Sequence, residues 1–229
     1  MLDLKGYGWM LRDGLEMTLT VGFSALGVAV VMGLLGAWGK LSSSPVARGL
    51  AGTYTTVIRG VPELILILIV YYGTPTLIQS IASSFGHEII IDVNRFIAGI
   101  GTIGFIYGAF ATEVFRGAVL AVPKGQLEAA QAYGMSRPQI VRRILLPQVL
   151  RFALPGLGNV WMVLIKATAL ISVIQLPELV RNAQIAAGST RQPFTFFFAT
   201  ALIFLAITTV SMIIQHRLEA WSNRGIQRG

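Results

Sequence analysis

The chain has 229 residues, of which 54% are hydrophobic and 12% are charged, and its mean hydropathy is +0.70. Soluble domains carry about 25% charged residues, so this composition excludes an ordinary soluble domain and indicates an integral membrane protein. The net charge of +8 does not indicate nucleic-acid binding, because the basic residues cluster at the ends of apolar runs. Cysteine is absent, which excludes disulfides and thiolate metal sites. The two histidines, His87 and His216, are far apart in sequence, so no metal site is predicted.

Five long apolar stretches predict that the chain crosses a membrane five times, because about 20 apolar residues span a bilayer as a helix. The first stretch is too long for the apolar region of a removable signal. The predicted fold class is therefore an all-α integral membrane protein with a single domain over residues 1–229. The spans are predicted at about 15–38, 63–79, 96–118, 149–174 and 193–215, with an amphipathic piece at 46–59 and polar loops at 80–95 and 175–192.

The segment between the third and fourth spans, residues 123–147, is predicted to form two short helices joined by a glycine elbow. Glu128 begins a run of residues that favour helix, and Gly134 can take the left-handed conformation that ends a helix. Ser136 is placed as the N-cap of the second helix, because serine is a preferred capping residue. Pro147 is expected to limit that second helix.

Lysine and arginine are distributed unevenly between the two sides of the membrane. Five spans put the termini on opposite sides, and the side that receives residues 39–59, the elbow and the C-terminal tail has twelve basic residues. The other side has five, and Lys166 lies within a span. Basic residues favour the cytoplasmic side, so the elbow and the C-terminus are predicted in the cytoplasm and the N-terminus outside.

Glu113, Arg116 and Lys166 are ionisable side chains within the predicted spans, where a charge is costly and by default suggests function. Glu113 and Arg116 are three positions apart and can pair on one helix face, although Arg116 can also extend to the membrane surface. Lys166 either neutralises Glu113 across the bundle or lines a solute pathway. Thr168 adds a hydroxyl near Lys166 but can simply bond its own backbone. Tyr107 is a further pathway candidate, among aromatic residues that more often mark packing.

Catalytic motifs are missing from the sequence. It contains no phosphate-binding loop of the GxxxxGK[ST] form and no Ser–His–Asp, HExxH or paired-histidine constellation. We therefore expect that the chain is not an enzyme and that another chain hydrolyses any ATP it depends on. Five helices also bury little polar surface, so a pathway for a polar solute forms more easily between two such subunits.

The elbow resembles the EAA signature, EAA-x3-G-x9-I-x-LP, of the membrane subunits of bacterial ABC importers. The specified positions are Glu128, Ala129, Ala130, Gly134, Ile144, Leu146 and Pro147. Three further stretches, YTTVIRGVPEL, GFIYGAFATEVFRGAVLAVPKGQLEAA and ALPGLGNVWMVLIKATAL, resemble the polar amino-acid uptake branch. Over nearly the whole chain the resemblance is to Q-type permease subunits of histidine/lysine–arginine–ornithine and opine systems. It implies the type I importer permease fold, with the elbow as a cytoplasmic two-helix coupling loop.

The resemblance also implies partners for the chain. They are a second, M-type permease subunit, two copies of a cytoplasmic ATPase that bind ATP and magnesium, a periplasmic amino-acid-binding protein and the lipid of the bacterial inner membrane. The chain itself is expected to hold no cofactor. Contacts with the ATPase are expected at Glu128, Ala129, Ala130, Gly134, Arg142, Arg143, Ile144, Leu146 and Pro147. For the two arginines, contact with anionic lipid is the alternative.

The implied solute is a polar, basic amino acid (histidine, lysine, arginine or ornithine) or a related opine, moved into the cytoplasm by alternating access. Glu113, as an intramembrane carboxylate, agrees with a cationic solute. The chain has Lys166-Ala-Thr-Ala-Leu where many such permeases have KDTSL, and the missing aspartate weakens the case for a complete solute site in this subunit. Two alternatives stay open: a membrane scaffold that docks a cytoplasmic partner without transport, and a membrane enzyme that uses Glu113 and Lys166.

Overall fold

The computed structural model describes residues 4–87 and 89–222, and in these residues every regular element is a helix. The α-helices, in chain order, are α1 (Gly8–Leu41), α2 (Pro45–Gly60), α3 (Glu63–Leu68), α4 (Thr74–Ser84), α5 (Arg95–Leu120), α6 (Lys124–Ala132), α7 (Arg137–Ile140), α8 (Leu146–Ala167), α9 (Leu179–Thr190) and α10 (Pro193–Ser222). Two π-helical turns, at Ile69–Gly73 and Val141–Leu145, join α3 to α4 and α7 to α8. A 3₁₀ segment, Thr168–Ile174, continues α8.

Five helical stretches of the described residues are long and apolar enough to cross a membrane. They are Gly8–Leu41, Glu63–Ser84, Arg95–Leu120, Arg137–Ile174 and Pro193–Ser222. Each contains one predicted span, which confirms the all-α class with five spans. The limits differ most at the fourth span, because the helix already begins at Arg137 rather than near residue 149. The second helix of the elbow and the fourth span are therefore one continuous helical rod.

Helices α1 and α5 form the centre of the bundle, because small residues let their backbones approach closely. A Cβ on Gly36 of α1 would collide with Thr112 of α5, and one on Gly104 of α5 would collide with Val28 of α1. The contact positions increase together along both helices, so α1 and α5 run parallel, as the first and third spans of one chain must. Such close approach is a common source of helix association in lipid. Buried side chains of α8 and the 3₁₀ segment complete the largest core cluster.

The prediction of a polar loop at residues 175–192 is wrong over most of that length, because Leu179–Thr190 form the helix α9. The N-cap of this helix is Glu178, whose carboxylate oxygens accept hydrogen bonds from the N–H groups of Val180 (2.8 Å) and Arg181 (2.7 Å). The Glu178 side chain is fully buried. This burial raises the pKa of the carboxyl to about 7, against the lowering effect of the two N–H donors. Exposed polar residues obscured the buried alanine face of α9 in the sequence.

The elbow and α9 lie at opposite ends of the bundle. The Asn182 side chain of α9 donates a 2.8 Å hydrogen bond to the Met10 carbonyl, near the start of α1. At the other end of α1, Lys40 contacts Glu113, close to the point where α5 leads into the elbow. The elbow therefore shares one end of the bundle with Lys40, and α9 occupies the end near the N-terminus.

Candidate functional site

A polar cleft lies between α2, the start of α3 and α5. It has two lobes of about 340 and 400 Å³, and both are open at the surface of the chain. The lobes meet at Arg59 and Phe110, where the guanidinium carbon lies 5.1 Å from the ring centre. The first lobe ends at Glu113 and the second at Glu63. Charged side chains are costly within a membrane, so their concentration here makes the polar cleft the candidate solute path.

Glu113 is held by two cations. Its carboxylate forms one ion pair with Lys40 of α1 and another with Arg116, whose Nε lies 2.9 Å from Glu113 Oε2. The predicted pairing of Glu113 with Arg116 is confirmed. The suggested pairing of Glu113 with Lys166 is wrong, because the close packing of α1 on α5 brings Lys40 beside Glu113 instead. The charge of Glu113 is therefore offset within the chain.

Glu63 stands in the first turn of α3 and reaches toward α5. The Tyr107 hydroxyl donates a 3.0 Å hydrogen bond to Glu63 Oε1. Tyr107 itself is 2% exposed, and its ring stacks on that of Phe110 with the centres 5.6 Å apart. In the part of the chain that the structure describes, no lysine or arginine lies within ion-pair distance of Glu63. The two carboxylates of the polar cleft thus differ, because the charge of Glu113 is offset by cations and, among residues 4–87 and 89–222, that of Glu63 is not.

The other two predicted pathway residues, Lys166 and Thr168, do not line the polar cleft. Thr168 is fully buried, and its hydroxyl donates a 2.7 Å hydrogen bond to the Ile165 carbonyl, which is the backbone role considered for it. Lys166 is exposed on α8. Of the four predicted pathway residues, only Glu113 is among the described residues that line the polar cleft. Tyr107 is buried behind it and reaches it through the hydrogen bond to Glu63. Glu113 and Lys166 do not line a common lobe of this cleft.

The elbow is closed by a complete Schellman motif at the end of α6. Gly134 has φ of +74°, a conformation that strains any residue with a Cβ. The Met135 N–H donates to the Ala130 carbonyl at 3.1 Å, and the Gly134 N–H donates to the Gln131 carbonyl at 2.9 Å. These bonds satisfy carbonyls that would otherwise lack partners at the helix end. The predicted glycine stop is confirmed.

The second half of the elbow begins as predicted and ends differently. Ser136 is the N-cap of α7, and its N–H donates a 2.9 Å hydrogen bond to the Gln139 side chain. The expected helix end at Pro147 is wrong. The Leu146 N–H bonds the Val141 carbonyl, five positions back, so the helix widens for one turn and continues into α8. The wider turn accommodates a proline that has no N–H and whose ring would clash with a regular preceding turn.

The predicted contact residues of the elbow differ in how exposed they are. The exposed ones are Glu128, Ala129, Gly134, Arg142, Arg143, Leu146 and Pro147. Ile144 is half-buried, and Ala130 is 6% exposed, so Ala130 packs within the elbow instead of facing a partner. Arg142 and Arg143 line a cleft of about 420 Å³ on the exposed surface. The exposed residues of the elbow thus include both basic and apolar groups.

Four residues at these sites were missed by the sequence reasoning: Lys40, Arg59, Glu63 and Tyr133. The first three lie near helix ends, and for Lys40 and Glu63 no local pattern could indicate the partner. The contacts of Lys40 with Glu113 and of Glu63 with Tyr107 join residues 73 and 44 positions apart. Tyr133 is 90% exposed at the tip of the elbow. The position of an aromatic residue directly before Gly134 is the sequence feature that could have indicated this exposure.

Known proteins resemble this chain in sequence and in structure. The family described as "Binding-protein-dependent transport system inner membrane component" matches residues 29–224. The octopine transport system permease protein OccQ of Rhizobium radiobacter is 46% identical, and the match covers 98% of this chain and 94% of the relative. The histidine/lysine/arginine/ornithine transport system permease protein HisQ of Escherichia coli (strain K12) is 43% identical, with 98% of each chain covered.

A chain from the crystal structure of an amino acid ABC transporter with histidines has the same fold. It superposes with a TM-score of 0.79 at 32% identity, and the match covers 93% of this chain and 94% of that chain. The structure therefore has the fold of type I importer permeases, and its relatives are permease subunits of amino-acid and opine transport systems. The chain belongs to the family of inner-membrane components of binding-protein-dependent transport systems, as a permease subunit of the ABC importer class.

Proposed function

We propose that this permease subunit pairs with a second, related permease subunit to import basic amino acids or related opines by alternating access. The polar cleft is open at the surface of the single chain, so a second subunit on that side would close it into a path. Both named relatives belong to systems for solutes of this kind, octopine in one case and basic amino acids in the other.

The observation that carries the choice of a basic solute is the carboxylate of Glu63. It accepts one hydrogen bond from Tyr107 and, among the described residues, has no cation within ion-pair distance. A basic amino acid brings an additional positive charge, which such a carboxylate would stabilise through a charge-assisted hydrogen bond. Arg59, in the same lobe, suits the α-carboxylate of the solute, because a guanidinium binds carboxylates in a fork geometry.

Glu113 is assigned a different part in the same cleft. Its charge is already offset by Lys40 and Arg116, so it would attract a cationic solute less strongly than Glu63 does. Its ion pair with Lys40 instead fixes the end of α1 against α5 and shapes the first lobe of the polar cleft. Glu113, Tyr107, Lys166 and Thr168 were the pathway residues expected from the sequence, and Glu63 is proposed ahead of all four.

Matched amide variants test the solute site. Glu63→Gln keeps an acceptor for the Tyr107 hydroxyl but removes the charge, so import of arginine, lysine and histidine is expected to fall about tenfold. Glu113→Gln is expected to change import less at equal amounts of assembled protein. The measurement is ATP-driven uptake in proteoliposomes that contain the assembled importer and its binding protein. Wild-type uptake by Glu63→Gln would contradict the direct role, and a larger loss in Glu113→Gln would move the site to the first lobe.

The elbow is proposed to dock on a cytoplasmic ATPase, whose two copies bind ATP and magnesium, while this chain holds no cofactor. Exposed Tyr133, with Arg142 and Arg143 nearby in the elbow, supports this, because aromatic and arginine side chains often carry interface energy. The helical rod from Arg137 to Ile174 has 38 residues, roughly 60 Å, against a bilayer core of about 30 Å. The rod thus extends out of the membrane and would carry a displacement of the elbow directly into the bundle.

The orientation follows as part of the same proposal. The chain would lie in a bacterial inner membrane with the elbow and C-terminus in the cytoplasm and the N-terminus in the periplasm. The excess of basic residues on the elbow side supports this orientation. The end that carries α9 would then face a periplasmic amino-acid-binding protein.

Two variants test the coupling role. Glu128→Lys and Tyr133→Ala change exposed side chains of the elbow, so insertion into the membrane is expected to be retained while ATP-driven uptake is lost. Full uptake by both variants would show that the elbow is not the coupling site. Co-purification of an ATPase with a wild-type complex that shows no ATP-driven uptake would favour the scaffold alternative instead.

A further inference from the structure

Two opposite charges share the second lobe of the polar cleft without forming an ion pair. Arg59 stands in the last turn of α2 and Glu63 in the first turn of α3, and both line this lobe. Both side chains are described by the structure, and they are not within ion-pair distance of each other. Each charge is costly inside a membrane, so direct pairing would be the expected arrangement. Some feature of the fold therefore keeps them apart.

Each of the two charges is held by an aromatic side chain of α5. The guanidinium carbon of Arg59 lies 5.1 Å from the centre of the Phe110 ring, within the range of a cation–π contact. The Tyr107 hydroxyl donates a 3.0 Å hydrogen bond to Glu63 Oε1. The two rings stack on each other with their centres 5.6 Å apart. This stacked pair, Tyr107 and Phe110, is here called the aromatic spacer, because one ring holds the guanidinium and the other holds the carboxylate.

The aromatic spacer is fixed by the packing of α5. Tyr107 is fully buried in the largest core cluster, and Phe110 packs against that cluster. The neighbouring Gly108 brings α5 so close to α1 that a Cβ there would collide with Met32. Side chains in such close packing have little freedom to change rotamer. Arg59 is long and exposed by comparison, so the rigid part of the arrangement is the aromatic spacer and the mobile part is the charge it holds.

We propose that the aromatic spacer keeps Arg59 and Glu63 apart so that both charges stay available to the solute, which makes Tyr107 and Phe110 positioning residues. This inference rests on the solute site proposed above. Without the aromatic spacer, the two charges would pair and the site would neutralise itself. A basic amino acid carries an α-carboxylate and a side-chain cation, so it can contact both charges at once only while they are separated.

The two rings act on the solute in different ways. Phe110 lines both lobes of the polar cleft, whereas Tyr107 lines neither. Tyr107 therefore acts only through Glu63, whose carboxylate it turns away from Arg59. Because the hydroxyl bonds Oε1, the cation of the solute is assigned to Oε2. Phe110 acts through Arg59, since a guanidinium that lies over a ring can still donate from its edge to a carboxylate.

A double-mutant cycle on stability tests the aromatic spacer without depending on transport. Arg59→Gln and Glu63→Gln, singly and together, are compared by the melting temperature of the assembled importer, once in the otherwise wild-type chain and once with Tyr107→Phe. Groups that do not interact give additive effects. We expect additivity in the wild type. In Tyr107→Phe we expect a coupling of about 3 °C, because the released carboxylate pairs with Arg59.

Tyr54→Phe is the matched control for this cycle. It also removes a hydrogen bond between α2 and α5, since the Tyr54 hydroxyl donates to the Phe105 carbonyl at 2.6 Å, but it does not touch Glu63. The cycle should stay additive in this background. Additivity with Tyr107→Phe as well, coupling already in the wild type, or equal coupling in both tyrosine variants would overturn the proposal.

Solute affinity provides a second measurement. The probe is radiolabelled arginine, bound at equilibrium to the purified importer without its binding protein. Tyr107→Phe is expected to raise the Kd about tenfold, and Tyr54→Phe is expected to leave it within about twofold. An unchanged Kd in Tyr107→Phe would overturn the proposal. Equal Kd values for the wild type and Glu63→Gln would instead overturn the solute site on which the proposal rests, whatever the melting cycle shows.

Rescue separates positioning from a merely structural role. Agmatine is arginine without its α-carboxylate, so its binding does not need Arg59. Tyr107→Phe should weaken agmatine binding about tenfold, and adding Arg59→Gln should restore it, because the cation that competes for Glu63 is gone. A structural defect would not be repaired by a second substitution, so the absence of rescue would overturn the assignment of Tyr107 as a positioning residue.

Discussion

Two prolines in this chain each lie in a helix that continues past them, although a proline ring clashes with a regular preceding turn. One is in the second span, and the other is at the junction of the elbow with the fourth span. A five-residue π-helical turn precedes each proline with the same spacing, Ile69–Gly73 before Pro75 and Val141–Leu145 before Pro147. In both, the residue before the proline donates its N–H five positions back instead of four. The wider turn relieves the clash of the proline ring with the preceding turn, so both helices continue.

The two turns differ in what they connect. The turn before Pro75 joins α3 to α4, and α4 ends soon after at Ser84. The turn before Pro147 joins the elbow to a full span, and it carries the exposed Arg142 and Arg143. A π turn holds one residue more than a regular turn of α-helix. It therefore sets how far the residues before the turn are rotated about the helix axis relative to the residues after it. At the junction this rotation determines the direction in which the proposed ATPase contacts point.

The largest effect is expected from removing the proline at the junction. In Pro147→Ala, the new N–H favours a regular turn, which would rotate Arg142 and Arg143 by about 100° relative to α8. Misplacing two contact side chains is expected to reduce ATP-driven uptake about 100-fold, since an interface side chain worth about 1.4 kcal/mol contributes a factor of about ten. Uptake in proteoliposomes, normalised to assembled complex, measures this.

The second span provides the matched control. Pro75→Ala changes a turn of the same geometry but rotates only the short α4, so uptake is expected to fall by only a few-fold. Deleting Leu145 together with Pro147→Ala restores the original rotation of α7, so this double variant should regain most of the uptake. Equal losses from the two single proline variants, or no regain in the double variant, would contradict the role assigned to the junction.

The next effect in size is a dependence of stability on pH, expected from Glu178 at the far end of the helical rod. Glu178 follows the 3₁₀ segment, and burial raises the pKa of its carboxyl to about 7. The folded protein therefore binds this proton more tightly than the unfolded chain does, so this group stabilises the fold at low pH. The stability is lost as pH rises, by about 2 kcal/mol between about pH 5.5 and pH 7.5.

Glu178→Gln should keep an acceptor for the α9 cap and remove this dependence on pH. The apparent melting temperature of the purified chain, followed from pH 5.5 to pH 7.5, should fall in the wild type and fall less in the variant. Glu16 is exposed on α1, so Glu16→Gln is a control expected to follow the wild type. Parallel profiles of wild type and Glu178→Gln would rule out a contribution of Glu178 to the dependence on pH.

Sequence reasoning located what depends on local chemistry. The five apolar stretches, the left-handed Gly134 and the Ser136 cap all follow from nearby residues, and the structure confirms them. Contacts between distant helices could not be obtained in this way. The identity of Lys40 as the partner of Glu113 depends on how closely α1 approaches α5, which no single stretch of sequence specifies.

Proline was the most misleading local signal. Pro147 predicts a helix end, although a π turn lets the helix continue. Pro155 lies inside α8 and differs again, since the residues directly before it are regular α-helix and not a π turn. A proline therefore predicts a disturbed turn, and whether the helix ends there depends on whether packing on both sides favours its continuation.

A smaller effect is expected at the entry to the rod. Gly134 has positive φ and nothing within 4 Å of a Cβ position, so Gly134→Ala adds backbone strain of about 1 kcal/mol without a clash. The elbow should fray, and limited proteolysis at the elbow is expected to become faster. Gly125, on α6, also has free space but lacks a positive φ, so Gly125→Ala should be neutral or protective. Equal protection of both variants would contradict the strain assigned to Gly134.

The smallest effect is expected from removing a threonine hydroxyl in the second span. Thr74 caps the π turn there, and Thr76 belongs to the regular helical turn beside it. The Thr74 hydroxyl donates to the Ile69 carbonyl, five positions back, at 3.2 Å, and the Thr76 hydroxyl donates to the Tyr72 carbonyl, four positions back, at 2.8 Å. Thr74→Val removes a bond to a carbonyl that also accepts the Thr74 N–H, so the expected loss is about 0.5 kcal/mol. In Thr76→Val the change should be near zero, since such back-bonding slightly disfavours a regular helix. Melting temperatures of the two variants measured side by side test this order, and a larger loss in Thr76→Val would show that the hydroxyl at Thr74 does not support the π turn.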